Sequence, residues 1–136
     1  MKIIPKLFLA FILSFSISGC QKNAGVGGDA SIRGKVFVRH YNTTFSTLIS
    51  SYYGPDIYVY IIYGDDISYG DKTNTGFDGK FEFKYLRKGK YKLYVYSENY
   101  NFMTGFIKDS AIVKQVEITD KKQDVDAGTF EIVKYK

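Results

Sequence analysis

Residues 73–97 contain the clearest strand pattern of the chain and read T-N-T-G-F-D-G-K-F-E-F-K-Y-L-R-K-G-K-Y-K-L-Y-V-Y-S. Apolar side chains take every second position in two runs, first at Phe81 and Phe83 and then at Tyr91, Leu93 and Val95. A glycine-containing turn precedes each run. A period of two bounded by such turns predicts an antiparallel hairpin with one buried face and one solvent face.

The same stretch resembles the centre of the carboxypeptidase regulatory-like family, which is also called transthyretin-like or Cna-B-like. That family shows the run T-x-x-x-G-x-F-x-x-x-x-L-x-x-G-x-Y-x-L-x-V, and matching residues stand here at Thr75, Gly79, Phe81, Leu86, Gly89, Tyr91, Leu93 and Val95. The resemblance extends over residues 31–133. It implies an all-β fold, an antiparallel seven-stranded Ig-like or transthyretin-like β-sandwich, and its motifs specify fold far better than activity.

The same alternation predicts five further strands, at 31–39, 55–63, 67–75, 111–118 and 125–133. Residues 40–54 break the alternation, so we expect a long surface loop with one helical turn around residues 45–49. Residues 98–110 are expected to form a second long connection, in which Phe102 and Phe106 are buried anchors.

The amino terminus has the features of an export signal. Lys2 and Lys6 precede an apolar run over residues 7–17, which is short of the ~20 residues that span a bilayer. The segment 17–20, I-S-G-C, resembles the lipobox of bacterial lipoproteins, in which the cysteine becomes the acylated first residue. Cys20 is the only cysteine, so it cannot form an intramolecular disulfide. The alternative is a soluble secreted protein in which this cysteine is coincidental.

Residues 20–30 are therefore predicted to be a lipidated cysteine followed by a flexible, glycine-rich tether that lifts the domain off the membrane. Gln21, rather than Asp, follows the cysteine. By resemblance to lipoprotein sorting in Gram-negative bacteria, this implies the outer membrane, an argument that holds only for such a host.

Composition limits the remaining possibilities. Removal of residues 1–19 from the 136-residue chain leaves 117, a length typical of one domain, here 31–136. The chain has a net charge of +5, and two of its lysines lie in the signal. This mild excess of positive charge is not concentrated in a basic stretch. Together with the predicted export, it argues against a nucleic-acid partner.

Candidate catalytic and metal-binding residues are sparse, so we predict no enzyme activity, no cofactor and no metal. His40 is the only histidine and stands at a predicted strand end. Aspartates at positions 65, 66, 71 and 78 could gather around calcium, but their spacing does not match an EF-hand loop and Asp is common in turns. An isopeptide between Lys35 and Asp124 or Asp126 is disfavoured, because the alternation turns Lys35 outward.

Tyrosine supplies the one candidate binding surface. In transthyretin-like sandwiches the second and fifth strands are neighbours, which here pairs residues 55–63 with 91–97. Tyr58, Tyr60, Tyr94 and Tyr96 would then share the outer face, bordered by Lys92. The alternative is that cross-strand tyrosine pairs only stabilise the sheet.

Together these features predict a non-catalytic envelope lipoprotein, held on a membrane by Cys20 and acting as a binding or assembly module for an envelope protein. One alternative is a carbohydrate-binding accessory lipoprotein that uses the tyrosine face to contact polysaccharide. Another is a small hydrolase whose site lies in residues 40–54.

Overall fold

A computed structural model describes residues 23–135, and within that range the chain is all-β, with eight strands and no helix. The predicted signal, Cys20 and Gln21 lie outside the described residues. No helix of the described part is long and apolar enough to cross a membrane. The strands are β1 Val26–Tyr41, β2 Leu48–Tyr53, β3 Tyr58–Tyr63, β4 Asp71–Asn74, β5 Lys80–Leu86, β6 Gly89–Asn101, β7 Phe106–Ile118 and β8 Asp124–Tyr135.

The strands form two four-stranded sheets. In the first sheet, the long β1 pairs with β5 and then β2 along one side and with β8 along the other. The second sheet has the order β4-β3-β6-β7 and is antiparallel throughout. The first sheet departs from the antiparallel prediction, because β1 and β8 run parallel.

Two-residue alternation correctly predicted which strand faces enter the core, but the antiparallel hairpin predicted within residues 73–97 was wrong. Its two strands, β5 and β6, lie in different sheets, because β5 pairs with β1 whereas β6 pairs with β3 and β7. One face of each sheet is apolar, and sixteen hydrophobic side chains are buried between the sheets. They are Ala30, Ile32, Val36, Val38, Val59, Ile61, Phe81, Phe83, Leu86, Tyr91, Leu93, Val95, Ile118, Ala127, Phe130 and Ile132. Burial of this apolar area is the main favourable term in folding.

The residues of the family-like motif serve the fold. Its hydrophobic members are all in the core, and Thr75 is buried with its hydroxyl donating to the Gly54 carbonyl at 2.6 Å. Gly79 and Gly89 have φ angles of +71° and +147°, which favour glycine. A motif built of core and turn residues predicts architecture and leaves activity open.

One edge of the first sheet is covered by side chains from the second. Lys114 Nζ donates to two β8 carbonyls at 2.9 and 3.0 Å. Ser97 Oγ accepts from the Val133 amide at 2.9 Å, and Glu98 Oε2 accepts from the Tyr135 amide at 2.7 Å. These contacts occupy backbone groups that an open edge would present to other chains.

The predicted loop over residues 40–54 was wrong in two respects. It contains an unpredicted strand, β2, which raises the number of strands from seven to eight. No helical turn is present at residues 45–49. All six residues of β2 are exposed, so neither of its faces needs to be apolar and no alternation marks it. The strand forms because β1 extends far enough to pair with it, with Phe37 opposite Tyr53.

The second predicted connection, 98–110, was also wrong. It is a ribbon formed by the ends of β6 and β7 around a turn at residues 102–105. Phe102 and Phe106 are 83% and 74% exposed, so they are not buried anchors. The aromatic ring that packs against this ribbon is Phe45. Its centroid lies 3.5 Å from that of the stacked Tyr100 ring and 4.1 Å from that of Tyr135, which it meets edge-on.

The predicted flexible tether overlaps the folded domain. β1 begins at Val26, and Ala24 packs against the core. The Gly25 amide donates to the Tyr91 hydroxyl at 3.0 Å, and the Gly25 carbonyl accepts from the Arg87 amide at 2.8 Å. A composition rich in glycine gave no periodic signal, but the backbone of this segment is held by partners distant in sequence.

Candidate functional site

The candidate site lies on the solvent face of the second sheet, where β3 and β6 are antiparallel neighbours as predicted. Their register places Tyr60 opposite Tyr94 and the core residue Ile61 opposite Leu93. Because alternate residues point to opposite faces, burying Ile61 and Leu93 leaves the tyrosines outside. The structure therefore brings all four predicted tyrosines onto one face.

The rings are in mutual contact. Tyr60 and Tyr94 are stacked, with centroids 4.8 Å apart and planes inclined by 9°. Tyr96 meets both rings edge-on, at 5.8 Å from Tyr60 and 5.6 Å from Tyr94. Tyr58 lies 6.3 Å from Tyr60. Offset and edge-on arrangements of this kind are the favoured geometries of aromatic pairs.

A fifth tyrosine, which the alternation did not predict, completes the group. Tyr69 meets Tyr60 edge-on at 5.1 Å. The predicted strand 67–75 included Tyr69, but that prediction was too long, because β4 covers only Asp71–Asn74. Tyr69 lies in the connection between β3 and β4, where side chains do not alternate between two faces. Its neighbour Gly70 donates a backbone hydrogen bond to Ile61 at 2.9 Å, which returns the connection to the sheet. We call Tyr58, Tyr60, Tyr69, Tyr94 and Tyr96 the tyrosine face.

The tyrosine face is half-exposed. Tyr58, Tyr69 and Tyr96 each retain 48–49% of their accessible surface. Burial, followed by the neighbouring phenols of Tyr96 and Tyr60, raises the pKa of the Tyr94 hydroxyl. The Tyr94 hydroxyl is therefore neutral at physiological pH and can donate as well as accept hydrogen bonds.

Two lysines border the tyrosine face, Lys72 on the neighbouring β4 and Lys92 on β6 itself. Lys72 Nζ lies 4.6 Å from the centroid of the Tyr58 ring, within cation–π range. Lys92, the predicted border residue, lies opposite Ile62 on the same side of the sheet as Tyr94. The surface thus combines aromatic rings and phenolic hydroxyls with positive charge at its margin.

The two outer faces of the sandwich differ sharply. The four ion pairs found among residues 23–135 all involve strands of the first sheet or the turn that leads into it. They join Arg33 to Asp124, Arg39 to Glu131, Lys80 to Asp78 and Lys84 to Glu82. The outer face of the first sheet therefore carries the ion pairs and one aromatic pair, Phe37 and Tyr53, whereas the outer face of the second sheet carries a group of five tyrosines.

The other candidate residues are dispersed. His40 lies on β1 with Ser50 and Lys134 as its strand neighbours. Lys35 points outward, with Nζ 5.2 Å from the centroid of Tyr53, as the alternation predicted. Within residues 23–135, no three His, Cys, Asp or Glu side chains are grouped closely enough to hold a metal ion.

The tyrosine face is also separate from the main surface hollows. One, of about 690 Å³, is lined by residues around Gly34, Phe81 and Gly128. Another, of about 620 Å³, lies beside Ala24 and Gly64. Neither hollow is lined by a member of the tyrosine face, which lies on the solvent side of a β-sheet.

Comparison with known proteins gives no family. No family model matches the chain, and no curated protein matches it. Among solved structures, a proposed carbohydrate binding protein from Pseudomonas aeruginosa superposes with a TM-score of 0.49 at 10% identity, over 82% of this chain and 92% of that one. A 9R-lipoxygenase from Cyanothece superposes with a TM-score of 0.36 at 16% identity, over 75% of this chain but 16% of the enzyme. Likenesses this weak carry no functional argument.

Proposed function

We propose that this protein is a non-catalytic binding module of the bacterial cell envelope, held on a membrane by acyl chains on Cys20. The tyrosine face is its ligand-binding surface. The anchor follows from the export signal and the lipobox-like I-S-G-C segment at 17–20. By the sorting resemblance at Gln21, the membrane is the outer membrane of a Gram-negative bacterium.

The observation that carries the binding role is the contrast between the two outer faces. Five tyrosines in mutual contact occupy one face, whereas all the ion pairs of the described residues belong to the other sheet. Tyrosine is enriched in binding surfaces because a rigid ring supplies contact area and the hydroxyl supplies a hydrogen bond. A set of half-exposed rings is therefore suited to a macromolecular partner.

The shape of the surface favours an extended ligand. A small molecule usually binds in a concave pocket that covers most of its surface, whereas the five tyrosines lie along a β-sheet face and line neither of the two hollows described above. An envelope protein is the leading candidate partner. Polysaccharide is the second candidate, because half-exposed rings such as Tyr96 and Tyr69 can stack against sugar rings while their hydroxyls bond to sugar hydroxyls.

We also propose that the two-sheet fold belongs to the carboxypeptidase regulatory-like, or transthyretin-like, class of sandwiches. The support is the motif itself, because each of its eight residues is buried or takes a positive φ angle. The count of eight strands and the parallel β1–β8 pair are the features that a comparison within that class must explain.

Two measurements test the proposal. Metabolic labelling with a fatty-acid probe should modify the wild-type protein and leave Cys20→Ser unlabelled. Cross-linking in intact envelopes, followed by purification and identification of protein and polysaccharide, should return a ligand from the wild type.

The ligand should be lost when Tyr58, Tyr69 and Tyr96 are replaced together by serine. Tyr52→Ser is the matched control, because Tyr52 is 42% exposed on β2 of the other sheet. Equal capture by the folded triple variant and the control would refute a role for the tyrosine face.

A further inference from the structure

The amino-terminal end of the sandwich is closed by four segments that pack together. We define this end as residues 23–26, residues 64–68 after β3, residues 87–90 at the start of β6, and the connection 119–123. The Gly25 carbonyl accepts from the Arg87 amide at 2.8 Å, and the Lys90 carbonyl accepts from the Gly64 amide at 2.8 Å. β7 ends opposite the start of β6, so the 119–123 turn lies at the same end.

Very little chain separates this end from the proposed acylation site. Asn23 is the third residue after Cys20, and Ala24 already packs against the core. Three residue steps span at most ~11 Å even when fully extended. Acyl chains on Cys20 would therefore hold this end within the headgroup region of the bilayer, rather than suspend the domain above it.

The surface presented by this end contains exposed apolar side chains. Ile67, at the turn between β3 and β4, is 103% exposed, and Val26 is 53% exposed. Tyr85, which lies on β5 two residues before the 87–90 segment, is 70% exposed. A fully exposed isoleucine is costly in water, and tyrosine is enriched where a protein meets the membrane interface.

Charge at this end has a small positive excess. The four segments contain five basic residues and three acidic ones. The basic residues are Arg87, Lys88, Lys90, Lys121 and Lys122, and the acidic ones are Asp65, Asp66 and Asp120. Basic residues beside a lipid anchor are attracted to anionic headgroups and provide a second membrane-binding signal.

We propose that the amino-terminal end is a membrane-docking surface, which rests on the same bilayer that holds the acyl chains of Cys20. Ile67 inserts among the lipids, and the lysines of the 87–90 and 119–123 segments contact anionic headgroups. This inference rests on the proposed lipid anchor. It fixes the orientation of the domain, with its strands rising from the membrane.

The opposite end supplies a control. β6 has thirteen residues, so at ~3.3 Å per residue it places the 102–105 turn roughly 40 Å from the docking surface. Met103 in that turn is 96% exposed, which closely matches the exposure of Ile67. A substitution at either residue should leave the core intact, because neither side chain is buried.

The test uses the full-length protein, acylated in a bacterial host. Acylation consumes the thiol of Cys20, so Ile67→Cys or Met103→Cys introduces the only free thiol for a fluorescent probe. The labelled proteins are reconstituted in vesicles of phosphatidylethanolamine and phosphatidylglycerol that contain lipids with a nitroxide near the headgroup. We expect the probe at residue 67 to be quenched several-fold more strongly than the probe at residue 103.

Equal quenching at the two positions, in protein shown by mass spectrometry to carry the acyl chains, would overturn the docking surface and leave the anchor standing. Absence of acyl chains on Cys20 would refute the anchor and this inference together. In a second experiment the probe is placed at Lys88→Cys. Adding Ile67→Ser should reduce its quenching, and unchanged quenching would contradict the insertion of Ile67.

Discussion

Replacing Tyr91 by phenylalanine should release the amino-terminal segment from the domain while leaving the core filled. Tyr91 is 1% exposed, and its ring belongs to the core. Its hydroxyl accepts from the Gly25 amide at 3.0 Å and donates to the Arg87 carbonyl at 2.6 Å. Phenylalanine keeps the ring and removes both hydrogen bonds.

The magnitude follows from what each partner loses. A buried group left without its hydrogen bond costs about 1–3 kcal/mol. The chain can limit this cost by detaching residues 23–25, which would expose the Gly25 amide to water. We therefore expect the free energy of local opening at Gly25 to fall by about 1–3 kcal/mol, which corresponds to a roughly 5- to 150-fold faster amide exchange.

Native-state hydrogen exchange measures this opening directly. The amides of Gly25 and Arg87 should lose protection in Tyr91→Phe, whereas amides in the middle of β6 should change much less. Tyr58→Phe is the control, since Tyr58 is 49% exposed. A folded Tyr91→Phe protein with unchanged exchange at Gly25 would refute the argument that this hydroxyl holds the segment. The same variant should also weaken membrane docking, because a released segment lengthens the connection to Cys20.

Three further predictions concern the fold. Gly79→Ala should lower the free energy of unfolding, measured in urea, by more than ~1 kcal/mol, because φ is +71° and the added Cβ would lie 2.8 Å from the Val36 carbonyl oxygen. Gly76→Ala should have a much smaller effect, because the nearest atom to its added Cβ lies 3.5 Å away. Phe130 is 0% exposed and Phe102 is 83% exposed, so Phe130→Ala should lower the free energy of unfolding by about 3–5 kcal/mol and Phe102→Ala by less than ~0.5 kcal/mol. Similar losses in the two variants would contradict this difference in burial. Folding raises the pKa of the Tyr94 hydroxyl above its unfolded value of about 10. The contribution of this group to the free energy of unfolding is therefore complete below the unfolded pKa and is lost as the pH rises through the folded pKa. Stability measured across that range should therefore decline less steeply in Tyr94→Phe, and an identical decline would exclude this contribution.

Alternation alone located most of the core and the four predicted members of the tyrosine face. The physical reason is that a strand with one buried face must place every second side chain outward. Once Ile61 and Leu93 are assigned to the core, Tyr60 and Tyr94 must lie on the opposite side. The glycine positions of the turns were also readable, because left-handed backbone favours glycine.

Other features depended on contacts that no local pattern encodes. β2 is exposed on both faces and exists because β1 is long enough to pair with it. Phe102 and Phe106 were expected in the core because they are large and apolar, but Phe45 occupies the position against Tyr100. Periodicity describes which face of a strand is buried, but it cannot say which of several aromatic residues reaches a given contact.

The amino-terminal segment and Tyr69 show the same division most clearly. A glycine-rich stretch resembles a flexible tether in sequence, yet Gly25 is held by Tyr91 and Arg87, residues more than sixty positions away. Tyr69 joins the tyrosine face through a connection that has no strand parity. Alternation in the sequence was sufficient to predict most of the strands, their buried faces and four of the five tyrosines of the candidate surface, but not β2 or the extended ends of β6 and β7. The closure of the ends of the sandwich was visible only in the folded chain, because those contacts join residues far apart in sequence.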